Sequence, residues 1–445
     1  MSSFRIHEHA LGTTHIREYP GALADEEDDD LKLAIKQYVP YDNPTPKPGD
    51  VTIIGGHANG FPKELYEPLW EELYQKLKAK GVAIRSIWIA DVAHQGQSGV
   101  MNEKKLGGDP SWNDHPRDLF LMINHFRAQI KQPIVGIGHS MGGCHLVNLS
   151  LMHPRLFTTL VLMDPVIQRL PNRQGNFGPA KASTVRRDIW PSRKAAEASF
   201  KRSKFYQTWD PRVLDLWIKY GLRDLPTLLH PTATAASGTL PAPNADPSSA
   251  TVPPEKGTET QVTLTTTKHQ EVFTFMRPNF PSATSPDPET NPNPVTNPDV
   301  DLEAGPNTPF YRPEPIATFR QLPHLRPSVL YVFGDQSALS APLLKADKMA
   351  QTGTGAGGSG GVKKDRVREV TFEGVGHLIP MEVVEKTADA AQEWLTLELS
   401  NWKSRDAEQR LQWAHIPREE RGRMSEEFIK VMKSDWMNAP EKSKL

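Results

Sequence analysis

Hydrophobic and polar positions along the chain follow two alternating rhythms. Compact apolar runs at VTIIGGHANG, VAIRSIWIAD, PIVGIG and FTTLVLMDPV predict buried strands. Between them, apolar residues recur at the spacing of one helix face. Leu69, Trp70, Leu73 and Leu77 mark a helix over residues 68–80, with Pro68 in its first turn and Gly81 past its end. Leu119, Met122, Ile123, Phe126 and Ile130 mark a second helix, and MGGCHLVNLSLM a third, ended by His153-Pro154. Two β-like segments, FRIHEHALG and LKLAIKQYV, open the chain on either side of the acidic loop DEEDDD.

Strand alternating with helix predicts an α/β fold, a mostly parallel sheet with helices on both faces. The rhythm stops after residue 165 and resumes at 313. It continues with the strand SVLYVFGD, a helix near 340–350, the strand REVTFEG and a helix from about 381 to 399. Residues 166–312 read as helical fragments, a large helical cap inserted into the core. Inside it, residues 231–262 are rich in Thr, Ala, Ser and Pro, and residues 281–309 hold eight prolines. Neither stretch buries enough apolar surface to offset the entropy of ordering, so both are expected to be mobile. The predicted organisation is core 1–165, cap 166–312, core 313–400 and a helical extension 401–445 carrying Trp402, Leu411, Trp413, Phe428, Val431 and Met432.

Charge and composition narrow the function. A chain of 445 residues with net charge −1 and well-mixed charges lacks the clustered positive surface of a nucleic-acid binder. The lone cysteine, Cys144, excludes an intramolecular disulfide and any cysteine-based zinc site, which fits a reducing compartment. MSSFRIHEHALG has no apolar core of a secretory signal, and no apolar run is long enough to span a bilayer, so a soluble protein is expected. Ser443, Lys444 and Leu445 form S-K-L, the address read by the peroxisomal import receptor.

The strongest chemical signal is GIGHSMGGC. Ser140 stands between Gly138 and Gly142 in the spacing G-x-S-x-G, directly between a predicted strand and a predicted helix. A nucleophile elbow requires that placement: a sharp turn lifts the hydroxyl above the sheet while glycines admit close backbone. The plainer alternative, a glycine-rich bend with a solvated serine, lacks a reason for the flanking elements. A serine needs a base. Of the fifteen histidines, His377 in FEGVGHLIP follows the last predicted strand on the same sheet edge as Ser140, whereas His139 and His145 lie too close to the turn. The acid is open between Asp164, ending LVLMD, and Asp335, ending YVFGD; the later strand is the commoner position and favours Asp335. The oxyanion hole is expected from the backbone N–H groups of Met141 and of Asn59 in GGHANG.

Two other motifs carry less. GTGAGG (Gly353, Gly355, Gly358) has the spacing of a dinucleotide loop but follows a helix and precedes a strand, the wrong order for phosphate binding. His7 and His9 share a strand face without further ligands, so no metal is expected there.

Taken together, these stretches resemble the α/β-hydrolases. The closer resemblance is to the fungal peroxisomal hydrolases of secondary-metabolite and host-selective toxin pathways, of the mycophenolic acid acyl-CoA hydrolase type; the yeast peroxisomal lipase is more distant. HIREYPG, GFPKELYEPLWEEL, DLFLMINHFR, VGIGHSMGG, HPRLFTTLVLMDPVIQ, RPEPIATFRQL and GVGHLIP carry the likeness, which covers most of the chain. The resemblance implies an α/β-hydrolase fold, Ser140 as nucleophile, His377 as base and Asp164 as acid, with Asp335 as the alternative. It implies oxyanion donors at Asn59 and Met141, an acyl-CoA thioester substrate, and no cofactor or metal. Arg186, Arg187, Arg193, Lys194, Lys201, Arg202 and Lys204 of the cap offer positive charge to CoA phosphates, or simply a solvated helix face. A peroxisomal lipase or carboxylesterase, an acyltransferase or cyclase, and a non-catalytic receptor with the same fold are the rival readings.

Overall fold

The structure, a computed structural model, describes residues 3–26, 30–171, 175, 177–231, 260–280, 296–301, 309–434 and 436. Most of the two biased stretches and the S-K-L tripeptide lie outside these residues.

The chain begins with an antiparallel pair, β1 (Phe4–Gly12) and β2 (Lys32–Pro40). Then follow β3 (Val51–Gly56), α1 (Glu67–Ala79), β4 (Ile84–Ala90), α2 (Gly96–Met101), α3 (Asp114–His125), β5 (Ile134–His139), α4 (Met141–Met152) and β6 (Thr159–Met163). The next segment holds α5 (Gly178–Val185), β7 (Ile189–Trp190), α6 (Arg193–Arg202), α7 (Lys204–Gln207), α8 (Pro211–Tyr220) and β8 (Leu222–Asp224). It continues through β9 (Val262–Leu264), α9 (Lys268–Phe275), β10 (Arg277–Pro278), β11 (Phe310–Tyr311) and α10 (Glu314–Gln321). The earlier alternation then returns with β12 (Ser328–Gly334), α11 (Pro342–Gln351), β13 (Val367–Phe372), α12 (Ile379–Glu382), α13 (Val384–Ala414) and α14 (Glu426–Lys433).

Eight of these strands form one sheet in the order β1-β2-β4-β3-β5-β6-β12-β13. All neighbours from β4 to β13 are parallel, while β2 meets β4 antiparallel. Every residue of β3, β5, β6 and β12 is buried, which is why their sequences are unbroken apolar runs and do not alternate. Trp88, Leu146, Leu160, Val329, Tyr331 and Phe333 belong to one core cluster. Each such side chain contributes about 1.5–3 kcal/mol by leaving water. The chain leaves the sheet after Met163 and re-enters it at Ser328 on the adjacent strand, with Thr159 opposite Ser328. Among its described residues the intervening segment adds no strand to the main sheet; its own strands pair as β7-β9-β8 and β10-β11.

Some boundaries differ from expectation. The second predicted helix ends at His125, and Phe126 to Ile130 fold into turns that still bury Ile130, so its helical spacing is kept by a loop. Among its described residues, the segment expected to be helical also contains five short strands, too brief to show a period of two. The helix expected from 381 to 399 runs over Val384–Ala414, after the separate turn α12. Two compact units emerge, Met1–Glu398 and Leu399–Leu445. The second contains the C-terminal part of α13 and α14, whose Phe428, Val431 and Met432 are exposed. Among the described residues, no helix is long and apolar enough to cross a membrane.

Candidate active site

Ser140 occupies the single-residue turn between β5 and α4, with φ 56° and ψ −119°. Positive φ at a side-chain-bearing residue is strained and persists only where surroundings enforce it. Here its N–H donates to the Met163 carbonyl at 2.9 Å, and its own carbonyl accepts from Gly143 and Val166, each at 3.1 Å. The flanking glycines are required by contact. A Cβ on Gly142 would stand 2.2 Å from the Gly56 carbonyl oxygen, and one on Gly138 would stand 2.8 Å from that of Gly142. The spacing G-x-S-x-G therefore encodes the approach of α4 to the ends of β3 and β5.

His377 lies in the loop after β13. Its Nε2 is 2.8 Å from Ser140 Oγ and its Nδ1 is 2.6 Å from Asp164 Oδ2. Asp164, at the end of β6, is buried, and its backbone N–H donates to Val332 at 2.8 Å. Burial pushes its carboxyl pKa up. Hydrogen bonding and charge from His377, with hydroxyl donation from Ser337 and Ser340, overcome this and hold it below the usual carboxylate range. Asp335, which the residues alone favoured, is exposed and accepts the Gly374 N–H at 2.8 Å. It braces the turn leading to His377, and among the described hydrogen bonds it makes none to the imidazole.

Asn59 and Met141 line one cavity with Ser140 and His377, of about 440 Å³. The Asn59 loop is held by Gln95, fully buried, whose amide accepts the Gly60 N–H at 2.8 Å and donates to Asn59 Oδ1 at 2.7 Å. The rest of the wall is mainly apolar, including Phe61, Trp112, Val166, Phe205, Trp217 and Phe275. Of the seven basic cap residues, Arg186 is the one in this wall. Among the described residues no three side chains are grouped to hold a metal, and His7 and His9 stack with ring centres 6.5 Å apart. GTGAGG forms turns after α11.

Sequence reasoning missed a hydrogen-bond chain under the site. The Ala58 N–H donates to the Tyr66 hydroxyl at 2.8 Å, Tyr66 lies 3.0 Å from His139 Nδ1, and His139 Nε2 lies 2.9 Å from the His377 carbonyl. A carbonyl only accepts, so His139 carries its proton on Nε2 and takes the Tyr66 proton at Nδ1. Burial drives its pKa down to about 3, which keeps it neutral. The Asn59 loop and the His377 loop are thereby joined through one tyrosine and one histidine. Tyr66→Phe leaves a buried N–H without a partner, at a cost of about 1–3 kcal/mol. The expected result is a kcat drop of about tenfold with little change in KM; an unchanged kcat would remove Tyr66 from the positioning apparatus.

Comparison with known proteins agrees with this fold. Residues 69–216 match the family model Hydrolase_4, described as serine aminopeptidase, S33. The type I acyl-CoA thioesterase mpaH' of Penicillium brevicompactum is 44% identical over 409 residues, covering 90% of this chain and 89% of the relative. Its counterpart mpaH of Penicillium roqueforti is 42% identical over 414 residues, 91% and 90% of the two chains. Among solved structures, the peroxisomal α/β-hydrolase Lpx1 of Saccharomyces cerevisiae superposes with a TM-score of 0.63 at 15% identity, over 97% of this chain and 96% of its own. The chain is an α/β-hydrolase and belongs to the family that contains these type I acyl-CoA thioesterases.

Proposed function

We propose that the protein hydrolyses acyl-CoA thioesters through an acyl-enzyme on Ser140. The observation that carries this reading is the Asp164–His377–Ser140 alignment at the wall of a largely apolar cavity. Ser140 Oγ attacks the thioester carbonyl while His377 Nε2 takes its proton; Asp164, ionised, fixes the other ring nitrogen and stabilises the imidazolium. The N–H groups of Asn59 and Met141 receive the oxyanion. CoA leaves as a thiolate with little help, since an ordinary thiol has a pKa of about 8.5, and the imidazolium proton passes to the departing sulfur, which restores neutral His377. Water, deprotonated by His377, then attacks the acyl-serine, and the carboxylic acid departs.

The thioester rather than an oxygen ester is supported by relatives named acyl-CoA thioesterases at 42% and 44% identity. The test is release of CoA thiol from short, long, branched and aromatic acyl-CoAs beside matched oxygen esters. Turnover of oxygen esters alone would move the assignment to a carboxylesterase or lipase. An acyltransferase would show itself by turnover only with an added acceptor alcohol or amine.

The peroxisomal matrix is the proposed compartment, supported by the tripeptide Ser443-Lys444-Leu445 and secondary-metabolite assembly as the setting the resemblance implies. An N-terminal fluorescent fusion is expected in peroxisomes, and deletion of Leu445 should return it to the cytosol. Cytosolic fluorescence from the intact fusion would sink the assignment.

A further inference from the structure

Away from the triad, the mainly apolar cavity wall holds a charged pair, Glu271 and Arg186. Glu271, on α9, is buried; its Oε1 accepts the Ser183 hydroxyl at 2.6 Å, and its Oε2 is 2.5 Å from Arg186 Nη2. Oε1 is thus hydrogen-bonded, while Oε2 faces the guanidinium as an ion pair. The Arg186 side chain is 27% exposed, yet its Nε is buried and makes no hydrogen bond among the described residues. Nη2 likewise makes no aligned hydrogen bond among the described residues, and guanidinium nitrogens only donate, so the unused capacity of Arg186 is donor capacity. Glu271 also fixes the place of the pair. Its backbone carbonyl accepts from Asn59 Nδ2 at 3.0 Å, and a Cβ on Gly60 would meet its side chain at 2.9 Å.

A plain alkyl chain filling this cavity would strip water from Arg186 and give nothing back. A buried donor without a partner is costly, and a site built around a polar group discriminates strongly against substrates that lack the matching atom. The positive charge is already balanced by Glu271, so the fitting partner is a neutral oxygen acceptor and not a second carboxylate. We propose that Arg186, held by Glu271, is a specificity-determining residue that binds a neutral oxygen on the acyl chain beyond the reacting carbonyl. Ketone, hydroxyl, ether or lactone oxygens all satisfy it. This rests on the thioesterase reading and names its substrate class: oxygenated acyl groups in preference to simple fatty acyl groups.

The test uses N-acetylcysteamine thioesters, which carry the acyl group without the CoA phosphates. Octanoyl is compared with the set of oxo-octanoyl isomers, in wild type, Arg186→Met and Arg186→Lys. Wild type is expected to favour at least one oxo isomer by about tenfold or more in kcat/KM. Arg186→Met should erase that preference, and Arg186→Lys should keep part of it. The preference is a ratio within each variant, so it does not depend on how much of a variant folds, and the lysine variant serves if the methionine variant is lost. An equal preference in wild type and Arg186→Met overturns the proposal. So does a defect seen only with CoA thioesters and equal for every acyl group, which would assign Arg186 to the CoA phosphates. Wild type inert toward every thioester, CoA thioesters included, overturns the thioesterase reading itself and this inference with it.

Discussion

Ser140→Ala is expected to lower CoA release by about 10⁴-fold or more, and the double variant Ser140→Ala/His377→Ala to be no worse than either alone. Residues that act on one proton and one bond fail together, so their losses do not add. The informative contrast is between the two aspartates. Asp164→Asn keeps the shape of the acid but no longer stabilises the imidazolium, and should cost about 10⁴-fold in kcat. Asp335→Asn keeps an acceptor for the Gly374 N–H and removes only the charge of an exposed contact, so it should leave most of the activity. Equal losses from the two substitutions would mean that Asp164 is not the acid. Ser337→Ala/Ser340→Ala should fall between them, because it strips two donors from a buried carboxylate that still faces His377.

Stability is expected to fall steeply below about pH 6.5. Five histidines in the core, His57, His94, His115, His139 and His145, have pKa values driven down by burial, His94 and His139 to about 3. The unfolded chain takes up these protons near the ordinary histidine value while the folded chain refuses them. Their contribution is therefore complete above about pH 6.5 and declines as pH falls, by about 1.4 kcal/mol per pH unit for each group. Two carboxyls act in the opposite sense. Asp114, raised by burial to about 6, and Glu271, also raised by burial, bind protons in the fold before the unfolded chain does. The histidines prevail in number, so the net effect between pH 6.5 and 5 is a loss of stability as pH falls. Urea midpoints measured at pH 8, 7, 6 and 5 test this; a midpoint unchanged down to pH 5 would refute it. His115 and His145 are the telling pair, with ring centres 5.0 Å apart and no hydrogen bond to any of their four nitrogens among the described residues. His145→Leu should flatten the pH dependence by about one proton.

The fold was legible where its determinants are local. Strands buried on both faces leave unbroken apolar runs, and the elbow packs its requirements into five residues, because Gly138 and Gly142 meet neighbouring backbone that a Cβ would strike. The acid was not legible from the residues. Whether Asp164 or Asp335 meets His377 depends on how the ends of β6 and β12 face a loop more than two hundred residues beyond Ser140. Resemblance favoured Asp164, and the geometry places Asp164 beside the imidazole. Tyr66 and Gln95 carried no signal at all, since their work lies in hydrogen bonds to loops distant in sequence. His139 sits inside the motif itself, yet its proximity to Ser140 in sequence hid its role beneath His377.

One feature of the sheet bears on descent. Thr159 and Ser328 are direct neighbours, so the stretch between β6 and the crossover helix α10 leaves and rejoins the sheet at a single seam. From one side of that seam come Asn59, Ser140, Met141 and His377; from the inserted side come Pro179, Arg186, Phe205, Trp217 and Phe275. The groups proposed to make and break bonds and those proposed to read the acyl group thus lie on separable stretches. A lineage can lengthen, shorten or exchange the inserted stretch and acquire a new diet while its chemistry stays untouched. Grafting that stretch between paralogues is the corresponding route for anyone wishing to redirect the enzyme.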